Sequence, residues 1–144
     1  MSRFADEAAS TIFEELRAVE ELRVGDDAPK LFISKWLNGD AVTEFEKGKV
    51  YVVECWATWC GPCRLEMPVI EKLHQQLHGK GLRVFGVNDE EIETIREYVA
   101  EHEYSFPTLV DTDQEAMNLY RIRGIPTMVV IDREGKIAQY RMGL

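Results

Sequence analysis

Two cysteines separated by two residues carry the clearest chemical signal in the sequence. The motif Trp59-Cys60-Gly61-Pro62-Cys63 follows a hydrophobic run and opens a segment with helical periodicity. Cysteines at this spacing serve either thiol–disulfide exchange or metal binding. We expect Cys60 near the N-cap of that helix, where unpaired backbone N–H groups and the helix dipole favour a negative charge. Such a position favours the thiolate form and predicts a reactive sulfur at Cys60.

The two thiols have different predicted roles. Cys60, at the exposed tip of the turn, would attack a substrate disulfide and form a mixed disulfide with it. Cys63, deeper in the first helical turn, would then attack that mixed disulfide and release the reduced substrate. Pro62 suits the first turn because the N–H that proline lacks would have no partner there. We expect Trp59, Gly61 and Pro62, which adjoin the cysteines, to contact the substrate.

A carboxylic acid lies in the hydrophobic strand that leads to the cysteines. Glu54 stands within the run 50–56, six residues before Cys60. Burial raises the pKa of a carboxyl, and an acid that titrates near neutral pH could take the proton of Cys63 as that thiol becomes a nucleophile. We therefore predict a proton-relay role for Glu54. The alternative is that Glu54 lies at an exposed edge of the strand or pairs with a lysine or arginine.

A second candidate substrate contact precedes a later strand. Ile125 is followed by Pro126, and bonds before proline are the ones that can be cis. A cis bond would leave the backbone of Ile125 free to pair with an extended peptide beside the cysteines. An Ile-Pro pair also marks the start of many ordinary strands.

Zinc binding is the metal alternative for the cysteine pair. Cys60 and Cys63 are followed by His74 and His78, a superficial match to a Cys₂His₂ site. A continuous helix rises about 1.5 Å per residue, so His74 would lie about 16 Å from Cys63. Zinc ligands must lie about 2 Å from one ion. We therefore predict no metal site.

Hydrophobic periodicity predicts strands that alternate with helices, which favours an α/β sandwich whose last two strands are antiparallel. In the helix after the motif, Leu65, Val69, Leu73 and Leu77 form one apolar row. Cys55 alternates with Glu54 and is predicted to be buried on the opposite face of its strand. The predicted helices are 5–22, 63–78, 90–103 and 113–120, and the predicted strands are 31–33 with 41–45 as a hairpin, 50–56, 82–87, 106–110, 127–131 and 136–140.

Composition excludes several classes of function. The 144 residues carry a formal net charge of -9, which disfavours nucleic acid and anionic membrane surfaces as partners. No apolar run is long enough for a membrane span, and acidic residues interrupt the N-terminus where a secretion signal would be apolar. The length suits one domain, and we expect a monomer.

The chain from about residue 24 onward resembles the thioredoxin superfamily. Residues 56–63, WATWCGPC, are similar to its active-site motif, and residues 120–127, YRIRGIPT, resemble its cis-proline segment. Within the superfamily, the closer likeness is to the TlpA/ResA-type thiol–disulfide oxidoreductases. Residues 63–68, CRLEMP, are similar to the signature of that group, and 106–111, FPTLVD, resemble part of its central insertion.

The resemblance implies a thioredoxin-like three-layer α/β/α sandwich with a mixed central sheet over residues 24–144. Residues 1–23 would form an amphipathic helix or linker. The predicted elements end with the last strand, where the family has a closing helix, so we expect either that the sequence is truncated or that the N-terminal helix covers that face. The resemblance also implies a nucleophilic Cys60, a resolving Cys63 and a cis Pro126. The expected activity is reduction of protein disulfides, with an upstream thiol as electron donor, no bound cofactor and a bacterial extracytoplasmic setting.

Two other functions use the same fold. A thiol-dependent peroxidase would carry proline and threonine or serine before its nucleophile, where this sequence has Val53 and Ala57. A non-catalytic binding module would need neither thiol. Because both cysteines and Pro126 are present, the thiol–disulfide oxidoreductase is the favoured prediction.

Overall fold

The fold is known from a computed structural model that describes residues 3–20, 22–32 and 35–143. Its strands are β1 (Trp36–Leu37), β2 (Val50–Cys55), β3 (Leu82–Asn88), β4 (Thr108–Val110), β5 (Thr127–Ile131) and β6 (Ile137–Met142). Its α-helices are α1 (Arg3–Glu20), α2 (Gly61–Leu77), α3 (Ile92–Glu101) and α4 (Glu115–Leu119), and a 3₁₀ turn (His78–Lys80) follows α2.

The strands form one six-stranded sheet in the order β1-β4-β3-β2-β5-β6. Strands β2, β3 and β4 are parallel to one another, whereas β5 and β6 add antiparallel pairs on one side and β1 adds one on the other. The predicted mixed sheet is therefore confirmed. Strand β2 lies inside the sheet, which is why its apolar run is buried on both faces.

Helices cover both faces of the sheet and complete the predicted three layers. On one face, Met67 of α2 and Ile95 of α3 pack with Trp56 in a core that also contains both motif cysteines. On the other face, Met117 of α4 packs against Val53 and Cys55. Cys55 thus faces away from the motif, as the alternation along β2 predicts.

The predicted hairpin of 31–33 and 41–45 is wrong. Residues 41–45 form no strand, residues 31 and 32 are outside any strand, and residue 33 lies outside the described part of the chain. Strand β1 forms instead at Trp36–Leu37 and pairs with β4, where the Trp36 ring packs edge-on against Phe85 at a centroid distance of 5.2 Å. The chain still bends at Asn38-Gly39, where Asn38 has a φ of 64°, but β1 pairs with the distant strand β4 and not with residues 41–45.

The predicted apolar row of α2 is buried only in part, since Leu73 packs against the core that contains the cysteines but Leu65 and Val69 do not. Leu65 and Val69 are 70% and 56% exposed, and the buried row is instead Cys63, Met67 and Ile70. Both rows have helical spacing, so periodicity does not distinguish them. Cys63 lies on the side of α2 that faces the sheet. Met67 and Ile70 lie on the same side because they follow Cys63 at helical spacing.

Helix α1 spans Arg3–Glu20, so Leu22 of the predicted 5–22 helix lies beyond its end. Ile12, expected on its apolar face, is 55% exposed, while the side chains of residues 13–20 lie outside the described part of the chain. Among the described residues, none of the helices combines the length and the apolar character that crossing a membrane requires.

Candidate active site

Cys60 and Cys63 meet where α2 begins. Cys60 is the N-cap residue of the helix and forms a disulfide with Cys63, with a Cα–Cα distance of 5.2 Å. The Cys60 Sγ accepts a hydrogen bond from the backbone N–H of Cys63 at 3.2 Å. A sulfur in this position receives an N–H group that the helix cannot pair internally. The predicted placement of Cys60 at the helix N-cap is therefore confirmed.

The exposure of the motif differs from the prediction in one respect. Cys60 is not at an exposed tip: it is 3% exposed, and Cys63 is fully buried. In the disulfide, the Cys60 Sγ turns inward to Cys63, which removes it from the surface. The surface beside the disulfide is formed instead by Trp59, which is 69% exposed, and by exposed Gly61 and Pro62.

The segment before β5 lies against the same core. The Ile125–Pro126 peptide bond is cis, as the family resemblance implies. Pro126 is buried, and half-buried Ile125 packs against the core that contains Cys60 and Cys63. The fold thus brings together two segments that are more than sixty residues apart in the sequence.

Glu54 lies on the face of β2 that looks toward α2 and the cysteines. It is fully buried, so the alternative of an exposed strand edge is wrong. Burial raises the pKa of Glu54 to about 10; a hydrogen bond with Glu66 and the negative charge of Glu66 act in the same direction, and Arg141 opposes them. Glu54 is therefore protonated at neutral pH with the disulfide closed, above the near-neutral range that the sequence suggested.

Two side chains, one distant in the sequence and one nearby, hold the turn that carries the motif, and neither is among the predicted site residues. The Glu90 carboxylate accepts hydrogen bonds from the backbone N–H and the hydroxyl of Thr58, both at 2.7 Å. Arg64 donates to the carbonyl oxygen of Thr58 at 3.0 Å through its Nη2. Glu90 follows β3, where a polar cluster interrupts the apolar pattern, but its partner cannot be inferred from spacing.

The residues that the zinc alternative requires are not gathered together. Cys60 and Cys63 are paired with each other, whereas His74, near the end of α2, and His78, in the 3₁₀ turn that follows, pack edge to face at a centroid distance of 5.6 Å. Within residues 3–20, 22–32 and 35–143, no group of three or more histidine, cysteine, aspartate or glutamate side chains could hold a metal ion.

A redox disulfide at the start of a helix, set beside a cis-proline segment in a thioredoxin-like sandwich, defines a thiol–disulfide oxidoreductase. The family model of the AhpC/TSA family matches residues 24–140. The chain belongs to this family, and its likeness to the ResA-type members of the thioredoxin superfamily is confirmed by its relatives.

Several proteins that are similar to this chain are named thiol–disulfide oxidoreductases. The thiol–disulfide oxidoreductase ResA of Halalkalibacterium halodurans is 32% identical over 123 residues, which cover 84% of this chain and 69% of the relative. ResA of Bacillus cereus is 26% identical over 125 residues, or 86% of this chain and 72% of the relative. The thioredoxin domain of a thiol–disulfide oxidoreductase from Bacteroides vulgatus superposes with a TM-score of 0.73 at 27% identity, covering 86% of this chain and 91% of that structure. The peroxidase and binding-module alternatives are not favoured.

Proposed function

We propose that this thiol–disulfide oxidoreductase works as a reductase of protein disulfides. The observation that carries the proposal is the Cys60–Cys63 disulfide at the N-terminus of α2. In the reduced enzyme, the same N–H groups and helix dipole would stabilise the Cys60 thiolate. The Gly61-Pro62 dipeptide between the cysteines resembles that of thioredoxin, whose potential of roughly -270 mV is that of a reductant.

Turnover starts with attack of the Cys60 thiolate on a substrate disulfide. One substrate sulfur leaves as a thiolate, and the other forms a mixed disulfide with Cys60. Cys63, at the adjacent first turn of α2, then loses its proton and attacks the Cys60 sulfur. The Cys60–Cys63 disulfide forms, and the second substrate sulfur leaves as a thiolate that takes up a proton. An upstream thiol donor returns the disulfide to the dithiol, so no bound cofactor is needed.

The remaining predicted site residues act around this exchange. Glu54 relays the proton of Cys63 during resolution, which its fully buried position on the cysteine-facing side of β2 supports. Ile125 and Pro126 dock the substrate backbone, supported by the packing of Ile125 against the core that contains both cysteines. Exposed Trp59 contributes an apolar contact for the substrate chain, together with Gly61 and Pro62 beside it.

A trapping experiment tests the roles of the cysteines. With insulin as the disulfide substrate, Cys63→Ser should accumulate a mixed disulfide on Cys60, because the resolving thiol is missing. Cys60→Ser should form none, and both variants should lose turnover in insulin reduction with dithiothreitol. Cys55→Ala is the matched control, because Cys55 faces the opposite core and should leave turnover intact. Mixed disulfides on Cys63 of the Cys60→Ser variant would contradict the assignment.

The direction of the reaction needs a separate measurement. The equilibrium constant of the Cys60–Cys63 couple against glutathione gives its potential. A strongly reducing value supports the reductase, and an oxidising value would make the protein a disulfide donor instead.

Partners and setting follow from the family resemblance. We propose that protein thiols and disulfides are the substrates, that the chain acts as a monomer in a bacterial extracytoplasmic compartment, and that residues 24–144 form the redox unit beside the helix or linker of residues 1–23. The family match over residues 24–140 supports that division. Size-exclusion chromatography with light scattering tests the monomer, and fractionation of cells tests the compartment.

A further inference from the structure

Glu54 and Arg141 belong to one row of residues that crosses the sheet. Glu54 of β2 pairs in register with Met128 of β5, and Met128 pairs in register with Arg141 of β6. Residues directly opposite one another on paired strands point to the same face of a sheet. Glu54, Met128 and Arg141 therefore lie on the face that α2 covers.

Glu66 of α2 reaches this row from above. Its Oε1 accepts a hydrogen bond from the Arg141 guanidinium at 2.8 Å. The Arg141 side chain is 52% exposed, but the Glu66 side chain is only 11% exposed. The Oε2 of Glu66 is buried and has no hydrogen-bond partner among the described residues. One oxygen of Glu66 thus meets an ion pair near the surface, and the other lies inside the protein.

The buried carboxyl groups require a proton between them. Neither oxygen of fully buried Glu54 has a donor among the described residues when both glutamates are ionised. An ionised Glu54 would have no donor and would be repelled by the ionised Glu66, so one proton between the two carboxyl groups removes a charge and supplies a hydrogen bond. A proton on Glu54 supplies the missing donor, and the hydrogen bond that it forms with Glu66 raises the pKa of Glu54, in addition to the larger effect of burial.

The charged groups around Glu54 come from two elements. Glu66 on α2 carries the like charge, and Arg141 on β6 carries the opposite charge that lowers the pKa of Glu54. The neighbours in register on β3 and β5 are Gly86 and Met128, which do not titrate. Arg141 pairs directly with Glu66, so the ionised form of the pair has its negative charge on Glu66.

We propose that Glu54 and Glu66 share one proton, and that Arg141 anchors Glu66 as the surface exit through which protons pass between Cys63 and solvent. This inference rests on the proposed function and extends it to two residues, Glu66 and Arg141, that are not among the predicted site residues. Glu54 alone is insufficient as a base, because it is already protonated and has no contact with solvent. Glu66 supplies both the acceptor and the connection to water.

The proton balance of resolution follows from this arrangement. As Cys63 gives its proton to Glu54, the proton already on Glu54 passes to the Oε2 of Glu66. The Cys63 thiolate attacks the Cys60 sulfur of the mixed disulfide, the S–S bond to the substrate breaks, and the electron pair of that bond leaves with the substrate thiolate. Protonated Glu66 then releases its proton to water at the Arg141 side and regains its ion pair.

Titration of Glu54 in the oxidised protein tests the shared proton. Glutamate side-chain carboxyls labelled with ¹³C report the Glu54 pKa by NMR, assigned by its loss in Glu54→Gln. Glu66→Gln removes a negative charge and should lower the Glu54 pKa by about one unit. Arg141→Gln removes a positive charge and should raise it. We therefore expect the pKa of Glu54 to shift in opposite directions in the two variants. A general loosening of the site would instead shift the pKa in the same direction in both.

Kinetics test the proton exit. Resolution of a preformed Cys60 mixed disulfide, followed in single-turnover experiments from pH 6 to 9, should be about tenfold slower or more in Glu66→Gln, with a changed pH profile. Glu97→Gln and Lys72→Gln change exposed charges on α3 and α2 and serve as matched controls. The proposal is overturned if Glu54 titrates identically in wild type, Glu66→Gln and Arg141→Gln, or if the resolution profile of Glu66→Gln equals that of wild type. A failure of the proposed function would look different, because the Cys63→Ser variant would then form no mixed disulfide between Cys60 and the substrate.

Discussion

Glu90 accepts two hydrogen bonds from Thr58, at 2.7 Å from its backbone N–H and at 2.7 Å from its hydroxyl. Thr58 lies two residues before Cys60, so this contact ties the turn that carries the nucleophile to the chain beyond β3. Asn88 also donates to Glu90 at 3.0 Å, which holds the carboxylate in place. Glu90 is thus a positioning residue for the redox motif, although it touches neither sulfur.

Removal of the Glu90 carboxylate should loosen the motif. Glu90→Ala leaves the part-buried N–H of Thr58 without its acceptor, and such a loss costs about 1–3 kcal/mol. We expect a lower free energy of unfolding and a several-fold slower attack of Cys60 on a model disulfide. Glu90→Gln keeps an acceptor and should restore much of the rate. Urea denaturation and stopped-flow thiol exchange measure the two effects.

The control for this prediction is the next residue. Glu91→Ala alters an exposed N-cap of α3 whose side chain makes no capping hydrogen bond. It should leave the rate of thiol exchange unchanged. Equal losses in Glu90→Ala and Glu91→Ala would show that the Thr58 contact does not position the motif.

The sequence predicts those parts of the site whose residues lie within one short segment of the chain. Cys60 and Cys63 could be placed because their spacing, Pro62 and the preceding strand together specify a helix N-terminus. Glu54 was identifiable as an acid within an apolar strand. Both inferences depend on residues that are neighbours in the sequence.

Contacts between distant segments could not be read from the sequence. Glu90 reaches Thr58 across 32 residues, and Arg141 reaches Glu66 across 75 residues. Neither pair shows a pattern in the sequence, because the contact depends on the order of the strands in the sheet and on the orientation of α2 about its own axis. The same orientation leaves Leu65 exposed, although it belongs to the apolar row predicted for that helix. Strand β1 illustrates the same limit, since its partner β4 follows more than seventy residues later.

The buried acid Glu54 should reduce stability as pH rises. Its pKa is raised from 4.5 to about 10 mainly by burial, so the folded protein holds a proton that the unfolded chain releases. Between these two values, the free energy of unfolding should fall by up to about 1.4 kcal/mol per pH unit from this group. Glu54→Gln removes that dependence and should be more stable than wild type at pH 8. Urea denaturation at pH 5, 6.5 and 8 measures the difference.

The prediction is contradicted if the free energies of unfolding of wild type and Glu54→Gln differ by the same amount at all three pH values. Glu97→Gln is the control, because it removes an exposed carboxyl of α3 and should leave the slope unchanged. A wild-type slope identical to that of Glu54→Gln would mean that Glu54 is ionised in the folded protein.

Gly86 should tolerate no side chain, because Trp56 packs directly over it. A Cβ at this position would lie 2.5 Å from the Trp56 Nε1 and 3.2 Å from the Thr108 Oγ1. Both neighbours are fully buried, so Gly86→Ala forces a shift in the core next to Glu54 and should cost about 1–3 kcal/mol. Gly79→Ala is the control, since a Cβ there meets nothing within 4 Å. Equal midpoints of urea denaturation for the two variants would contradict the packing argument.

Glu71 should stabilise the protein at neutral pH and lose that effect in acid. Its Oε1 accepts from the backbone N–H groups of Ser105 and Phe106 at 2.7 and 3.1 Å. Burial acts to raise the pKa of Glu71, but hydrogen bonds from Ser105, Gln75 and Phe106 outweigh it, so the pKa is lowered from 4.5. A carboxyl with a lowered pKa stabilises the folded state above its unfolded pKa, and this contribution disappears as the pH falls through the folded value.

The free energy of unfolding of Glu71→Gln should therefore be about 1–3 kcal/mol lower than that of wild type at pH 7, and the difference should be smaller near pH 3. Urea denaturation at both values measures this, and a difference that grows in acid would mean that the Glu71 charge opposes folding.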